Sequence, residues 1–168
     1  AIEGPHSFSA FTASVLQLRP ESVGHLKLAS ANINDHPEIH PNYLATERDQ
    51  KTIVKGIQIA RKIAQFEPLK SHITEEYQPG YEVAMDDYDS TLNWARNTAV
   101  TIYHPTGTCK MGSDPMAVVD ARLRIHGLRG LRVADASIMP MITSGNTNAP
   151  TIMIGEKVSD MILEDAEL

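Results

Sequence analysis

The twelve residues Gly145-Asn146-Thr147-Asn148-Ala149-Pro150-Thr151-Ile152-Met153-Ile154-Gly155-Glu156 set a polar, glycine-led loop directly against the start of a helix. Asn148 is a favoured helix cap, and Pro150 suits a first helical turn, where its missing N–H is not needed. Ile154, Val158, Met161 and Ile162 then recur at helical spacing and predict one buried stripe. The N-terminus of such a helix leaves backbone N–H groups unpaired and carries a partial positive charge. It suits an anion, or an atom on which negative charge develops during a reaction. An ordinary capped helix accounts for the same residues, so this stretch alone leaves both readings open.

A second segment spends polar and glycine residues where packing does not ask for them: Tyr103-His104-Pro105-Thr106-Gly107-Thr108-Cys109-Lys110-Met111-Gly112. A histidine can take a hydroxyl proton near neutral pH, because its ordinary pKa of about 6.5 lies in that range. Pro105 fixes the local backbone, and the glycines after it admit a close neighbour. The plainer reading of His104 is a hydrogen-bonded loop histidine, and the segment by itself does not exclude it.

Between and before these segments the chain reads as mixed helix and strand. Val23–Ser30 alternates as a half-buried strand does, whereas Asn32–Pro41 is rich in Asn, Asp, His and Pro and reads as a loop. Thr46-x-x-Asp49 resembles a capping box, and Ile53, Ile57, Ala60, Ile63 and Ala64 give the following helix one apolar face. Pro68 ends that pattern. Pro79-Gly80 marks a turn inside the acidic, aromatic stretch Glu75–Asp89, and Asp89 or Ser90 caps a second helix through Leu92, Trp94 and Ala99. Thr106–Thr108 and Met111–Ser113 read as irregular. Leu123–Ile125 and Leu131–Ala134 read as short strands about a His126-Gly127 turn. The chain shows no internal repeat.

Composition narrows the partners. Fifteen Lys and Arg against 21 Asp and Glu give a net charge of −6, which argues against nucleic acid or an anionic membrane surface. Arg122, Arg124, Arg129 and Arg132 alternate with apolar residues and read as strand faces rather than a basic patch. No apolar run approaches the roughly 20 residues of a membrane helix. The start, Ala1–His6, lacks the regions of a signal peptide and a starting methionine, so a fragment or processed product is expected. One cysteine, Cys109, excludes an internal disulfide and fits a reducing, cytoplasmic setting.

Three ordered motifs carry a resemblance. Tyr103–Gly112 (YHPTGTCKMG), Gly130–Pro140 (GLRVADASIMP) and Gly145–Glu156 (GNTNAPTIMIGE) are similar to the C-terminal signatures of the glucose–methanol–choline oxidoreductases. Leu18-Arg19-Pro20-Glu21-Ser22 and Pro41-Asn42-Tyr43-Leu44 resemble the start of the same region, so the likeness runs from about Leu18 to Leu163. It implies that His104 is the catalytic histidine beside a flavin, with Asn146 as its partner at the substrate hydroxyl. Asparagine at that position resembles choline and alkyl-alcohol dehydrogenases more than glucose oxidases. Asp135 and Ala136 match the contact with the ribityl–pyrophosphate part of FAD, and Asn148, Ala149 and Thr151 match the segment at the flavin pyrimidine edge. The implied substrate is a small primary or secondary alcohol, and the implied fold is α+β. An antiparallel sheet with helices on one face is expected over about 15–110. Residues from about 111 to 168 are expected to return to the FAD-binding side.

The family's dinucleotide-binding glycine motif, G-x-G-x-x-G, is absent from these residues. The resemblance therefore implies that most of the FAD site lies in an N-terminal portion outside this chain and that the chain alone is inactive. Two other functions fit less fully: a hydroxynitrile lyase-like member of the family, and an isolated cap that binds without catalysis. His36 and His40 stand four apart, but Pro37 and Pro41 oppose the helix a metal pair would need, and no metal is expected. Cys109 beside Lys110 can be a lowered-pKa thiol or a passive packing residue, and the resemblance favours the second.

Overall fold

The computed structural model describes residues 6–166, so most of the stretch Ala1–His6 read above lies outside the described residues. Two strands and three helices succeed one another: β1 (His25–Lys27), β2 (Glu38–His40), α1 (Glu47–Ile63), α2 (Tyr88–Thr98) and α3 (Asn148–Ala166). Short 3-10 turns occur at Lys70–His72 and Ala136–Ile138. The chain divides into two compact units. One contains the described residues up to Gln17 together with Glu47–Ala99, and the other contains Leu18–Thr46 and Val100 onward.

In the first unit α1 packs on α2. The sequence pattern placed α1 well, with its end before Pro68, but the face that is buried is narrower than the spacing suggests. Val54 and Ile57 are buried, while Ile63 is exposed. Leu92 and Ala95 of α2 complete this small core. Asp49 is buried too, and its carboxylate accepts a hydrogen bond from the Gln17 side chain at 2.8 Å. A buried carboxylate requires such a partner, because the desolvation cost is otherwise uncompensated. The cap of α2 is Asp87, two residues before the expected Asp89, and it accepts from both the Ser90 backbone N–H (3.0 Å) and the Ser90 hydroxyl (2.6 Å). Those bonds, the hydroxyl's first, hold the Asp87 carboxyl below its ordinary range. Arg61 closes the stretch after α1: its guanidinium donates to Glu76, to the Val83 carbonyl and to the carbonyl of Gly80, whose φ of +74° confirms the predicted turn.

In the second unit β1 and β2 form an antiparallel pair, with His25 opposite His40 and Lys27 opposite Glu38. Two expectations change here. The strand expected over Val23–Ser30 spans three residues and is exposed throughout rather than half-buried. Part of the expected loop Asn32–Pro41 forms its partner, β2, after a turn in which Asn32 accepts from the Asn34 N–H. Alternation fixes neither the length nor the burial of a strand; its partners do, and this ribbon has one strand on each side of a turn.

The main core lies further on. Val119, Leu123, Ile138, Met139, Ile154 and Val158 form one buried cluster, with Ile154 and Val158 presented by α3 as the spacing predicts. Ile162, expected in the same stripe, is exposed, and Met141 is exposed where Met139 is buried. The strands expected at Leu123–Ile125 and Leu131–Ala134 appear as bridges. Arg124 pairs with Arg132, the Ile125 N–H donates to the Leu131 carbonyl (3.1 Å), and the Val133 N–H donates to the Leu123 carbonyl (3.1 Å). Gly127 and Gly130 turn the chain between them, both with positive φ.

The arginines of this hairpin do more than face outward. The Arg122 guanidinium donates to Glu164, Asp165 and the Met161 carbonyl at the end of α3, and Arg132 binds Asp165 as well. Acidic side chains at a helix C-terminus oppose the helix dipole, and the two arginines offset that cost. Arg124 instead binds Asp120.

Candidate active site

The segment containing His104 is irregular but tied down. The Cys109 N–H donates to the Ser137 carbonyl (3.0 Å) and the Met111 N–H to the Ile138 carbonyl (2.7 Å), so the loop lies along the short turn at Ala136–Ile138. Gly107 takes a φ of +86°, and an added Cβ there would sit 3.4 Å from the Met139 carbonyl oxygen. That contact is an ordinary one; the positive φ is what favours glycine, because an L side chain there is strained. Past the loop, Lys110 and Asp114 pair at 2.9 Å, and the lysine's hydrogen bond is the foremost cause holding the Asp114 carboxyl below its usual range.

The turn at Ala136–Ile138 is capped by Asp135, whose carboxylate accepts from the Ser137 N–H at 2.7 Å. The turn packs against α3. Asp135 and Ala136, expected at the cofactor, thus stand at the start of an element that holds both the His104 loop and α3. Asp135 itself is exposed and Ala136 partly buried.

Thr147 immediately precedes α3, and its carbonyl accepts the first bond of the helix, from the Thr151 N–H (3.0 Å) and again from the Thr151 hydroxyl (2.6 Å). The helix therefore begins one residue before the expected boundary, with Thr147 as its cap and Asn148, Ala149 and Pro150 as its first three residues. Asn148 and Ala149 are exposed and Thr151 partly buried.

One contact joins the segments. The His104 Nδ1 and the Thr147 hydroxyl oxygen lie 2.9 Å apart, across 43 residues of chain. Thr147 is only 6% exposed, whereas its neighbour Asn146 is exposed. The hydrogen bond runs to Thr147 and not to Asn146 itself. Sequence reading selected the two flanking residues and passed over Thr147, although a hydroxyl residue directly before a Pro-containing helix start is a legible cap signal. The junction offers a partly buried imidazole, an exposed amide and the positive end of a 19-residue helix within one stretch of surface. Such a set can accept a proton, orient an oxygen and favour negative charge at one place.

Among the described residues no group of three or more His, Cys, Asp or Glu is placed to hold a metal ion. His40 instead stacks on His25, with ring centres 4.6 Å apart. No helix among them is long and apolar enough to cross a membrane.

Comparison with known proteins identifies the family. Residues 20–155 match the family model for the C-terminal region of GMC (glucose–methanol–choline) oxidoreductases. The alcohol dehydrogenase [acceptor] of Pseudomonas putida is 46% identical over 158 residues, covering 94% of this chain and 28% of its own. The mitochondrial choline dehydrogenase of Mus musculus is 48% identical over 161 residues, covering 94% and 26%. This chain thus spans about a quarter of the length of these relatives. Among solved structures, pyridoxine 4-oxidase from Mesorbium loti superposes with a TM-score of 0.78 at 34% identity, over 85% of this chain and 28% of that one. A variant of Aspergillus oryzae RIB40 formate oxidase, in work on FAD modification, gives 0.83 at 31% identity, over 89% and 26%. The match covers the His104 loop, the Asp135 turn and the start of α3 together, and the chain belongs to the GMC oxidoreductase family.

Proposed function

We propose that this chain is the C-terminal, substrate-side part of an FAD-dependent alcohol oxidoreductase of the choline and alcohol dehydrogenase kind. The observation that carries the reading is the junction of the two polar segments, where His104 bonds the residue next to Asn146. A primary or secondary alcohol places its hydroxyl between His104 and Asn146. His104 accepts the hydroxyl proton, and the amide of Asn146 donates to the same oxygen and fixes its direction. FAD, when bound, supplies the acceptor for the carbinol hydride. Asp135 and Ala136 would hold its ribityl–pyrophosphate part. Asn148, Ala149 and Thr151 would lie at its pyrimidine edge, where the positive end of α3 favours negative charge. The exposed first turn of α3 fits that group, since its leading N–H groups have no partner within the helix.

The remainder of the FAD site belongs to an N-terminal portion of the longer protein, and this chain alone is inactive. In keeping with that, Leu28 is 85% exposed and Ile33 96% exposed, large apolar surfaces that a partner portion would cover. Residues of about 15–110 supply the substrate side, with β1 and β2 joining further strands of a helix-covered sheet, and residues from about 111 return to the FAD side.

Anaerobic bleaching of the flavin in the full-length protein tests the reading, with choline and simple primary alcohols as substrates and His104→Ala as the variant. Bleaching by at least one alcohol, slowed by orders of magnitude in the variant, is expected. Equal rates in the two proteins, or flavin that no alcohol reduces, would sink it.

A further inference from the structure

We infer that Thr147 is a positioning residue that sets the tautomer of His104. The inference rests on the reading of His104 as the base that takes the alcohol proton, and it adds how the ring is made ready for that step.

A helix-capping threonine ordinarily turns its hydroxyl inward, to accept from the backbone N–H of the second or third helical residue. In α3 the third residue is Pro150, which has no N–H. The customary partner at that position is missing, and the Thr147 hydroxyl bonds the imidazole of His104 at 2.9 Å instead. The helix loses little by this, because the Thr147 carbonyl still accepts twice from Thr151.

A hydroxyl oxygen can give or accept one hydrogen bond at Nδ1, and the two cases have opposite consequences. If Nδ1–H donates to Thr147, Nε2 carries the lone pair and can take a proton. If the hydroxyl donates to Nδ1, the proton sits on Nε2 and the ring cannot act as base there. The base role requires the first arrangement, with Thr147 accepting. Thr147 is buried, so water competes little for that bond. The contact also fixes the plane of the ring, since it is anchored at the first turn of a long helix. Rigid support of this kind keeps a reacting atom within the narrow range that proton and hydride transfer demand.

The test uses the full-length, flavin-loaded protein. Thr147→Val keeps the shape and removes the oxygen; Thr147→Ser keeps the oxygen. The flavin reduction rate at saturating alcohol should fall about 10- to 100-fold in Thr147→Val, the range for removing a group that orients a functional histidine. The apparent affinity for alcohol should stay within about threefold, because the lost interaction serves the transition state. Thr147→Ser should reduce its flavin at close to the wild-type rate. A valine variant as fast as wild type overturns the inference, and so does a serine variant as slow as valine, which would make the role one of packing. Should Thr147→Val fail to fold, the ring nitrogens of ¹⁵N-labelled His104 in the wild type decide the matter. A proton on Nδ1 supports the inference, and a proton on Nε2 overturns it. A normal rate in His104→Ala removes the base role and this inference with it, whereas a dead His104→Ala beside a normal Thr147→Val removes this inference alone.

Discussion

Val119 is the best place to test whether the second unit is held by the core described above. It is 0% exposed, sits in the cluster with Leu123, Ile138, Met139, Ile154 and Val158, and bridges to both Met111 and Ile125. Val119→Ala removes two buried carbons, at about 0.8 kcal/mol each, or about 1.6 kcal/mol of transfer free energy. A residual void of about 40 Å³, at about 24 cal/mol per Å³, adds roughly 1 kcal/mol if the neighbours stay in place. The sum, about 2.5 kcal/mol, corresponds to a change of about 60-fold in an opening equilibrium. Amide exchange in the full-length protein reads that equilibrium locally, which matters because a large flavoprotein does not unfold in two states. The amides to follow are those of Gly112, bonded to the Val119 carbonyl (3.0 Å), Met111, and Val133. Their protection should fall together by about 60-fold in Val119→Ala. Val100→Ala, at a position 67% exposed, should leave them within about threefold. A change below about threefold in Val119→Ala would refute the reasoning, since it would mean that the cluster does not limit opening of this unit.

Three further expectations concern the supports of the site. Burial works against the charge of Asp165, but the hydrogen bond from Arg132 and the charges of Arg122 and Arg132 outweigh it and hold the carboxyl below its usual range. A depressed carboxylate contributes stability that is present above its unfolded pKa of about 3.9 and lost as pH falls through the folded value. The protection of α3 amides lost in Asp165→Asn should therefore be constant from pH 7 to 5, shrink below about pH 4, and be smaller in 1 M salt. Asp87→Ala should fray the start of α2, seen as faster exchange at Ser90, while Asp87→Asn, which keeps a capping oxygen, should not. Gly107→Ala forces a side chain into φ +86° and should destabilise the His104 loop by about 1–2 kcal/mol. Faster exchange at Cys109 and Met111 measures it, and unchanged protection there would show that the loop tolerates a Cβ.

Much of the helical structure was legible because it is local. The spacing of Ile53 and Ile57, or of Ile154 and Val158, repeats within one or two turns, and Pro68 stops a helix wherever it falls. Caps were less so. Asp87 and Asp89 both precede the same apolar pattern, and only the backbone path to Ser90 separates them. The strands were read worst, since Val23–Ser30 alternates over eight residues and pairs over three. Pairing depends on a partner segment that the alternation does not name.

The candidate site divides in the same way. Residue types and their order were enough to show which groups bear chemistry: an imidazole in a glycine-containing loop, an amide before a helix, and a helix start with proline in its first turn. Residue identity sets proton affinity, hydrogen-bonding capacity and backbone freedom without reference to distant chain. Tertiary structure alone decided that His104 meets Thr147 rather than Asn146, that the Ala136–Ile138 turn ties the His104 loop to α3, and that Arg122 and Arg132 hold the far end of that helix. The hydrogen bonds among those contacts join residues 27 to 43 apart, and hydrogen bonds act only near 3 Å, so their partners are fixed by how the core of Val119, Ile138 and Ile154 packs.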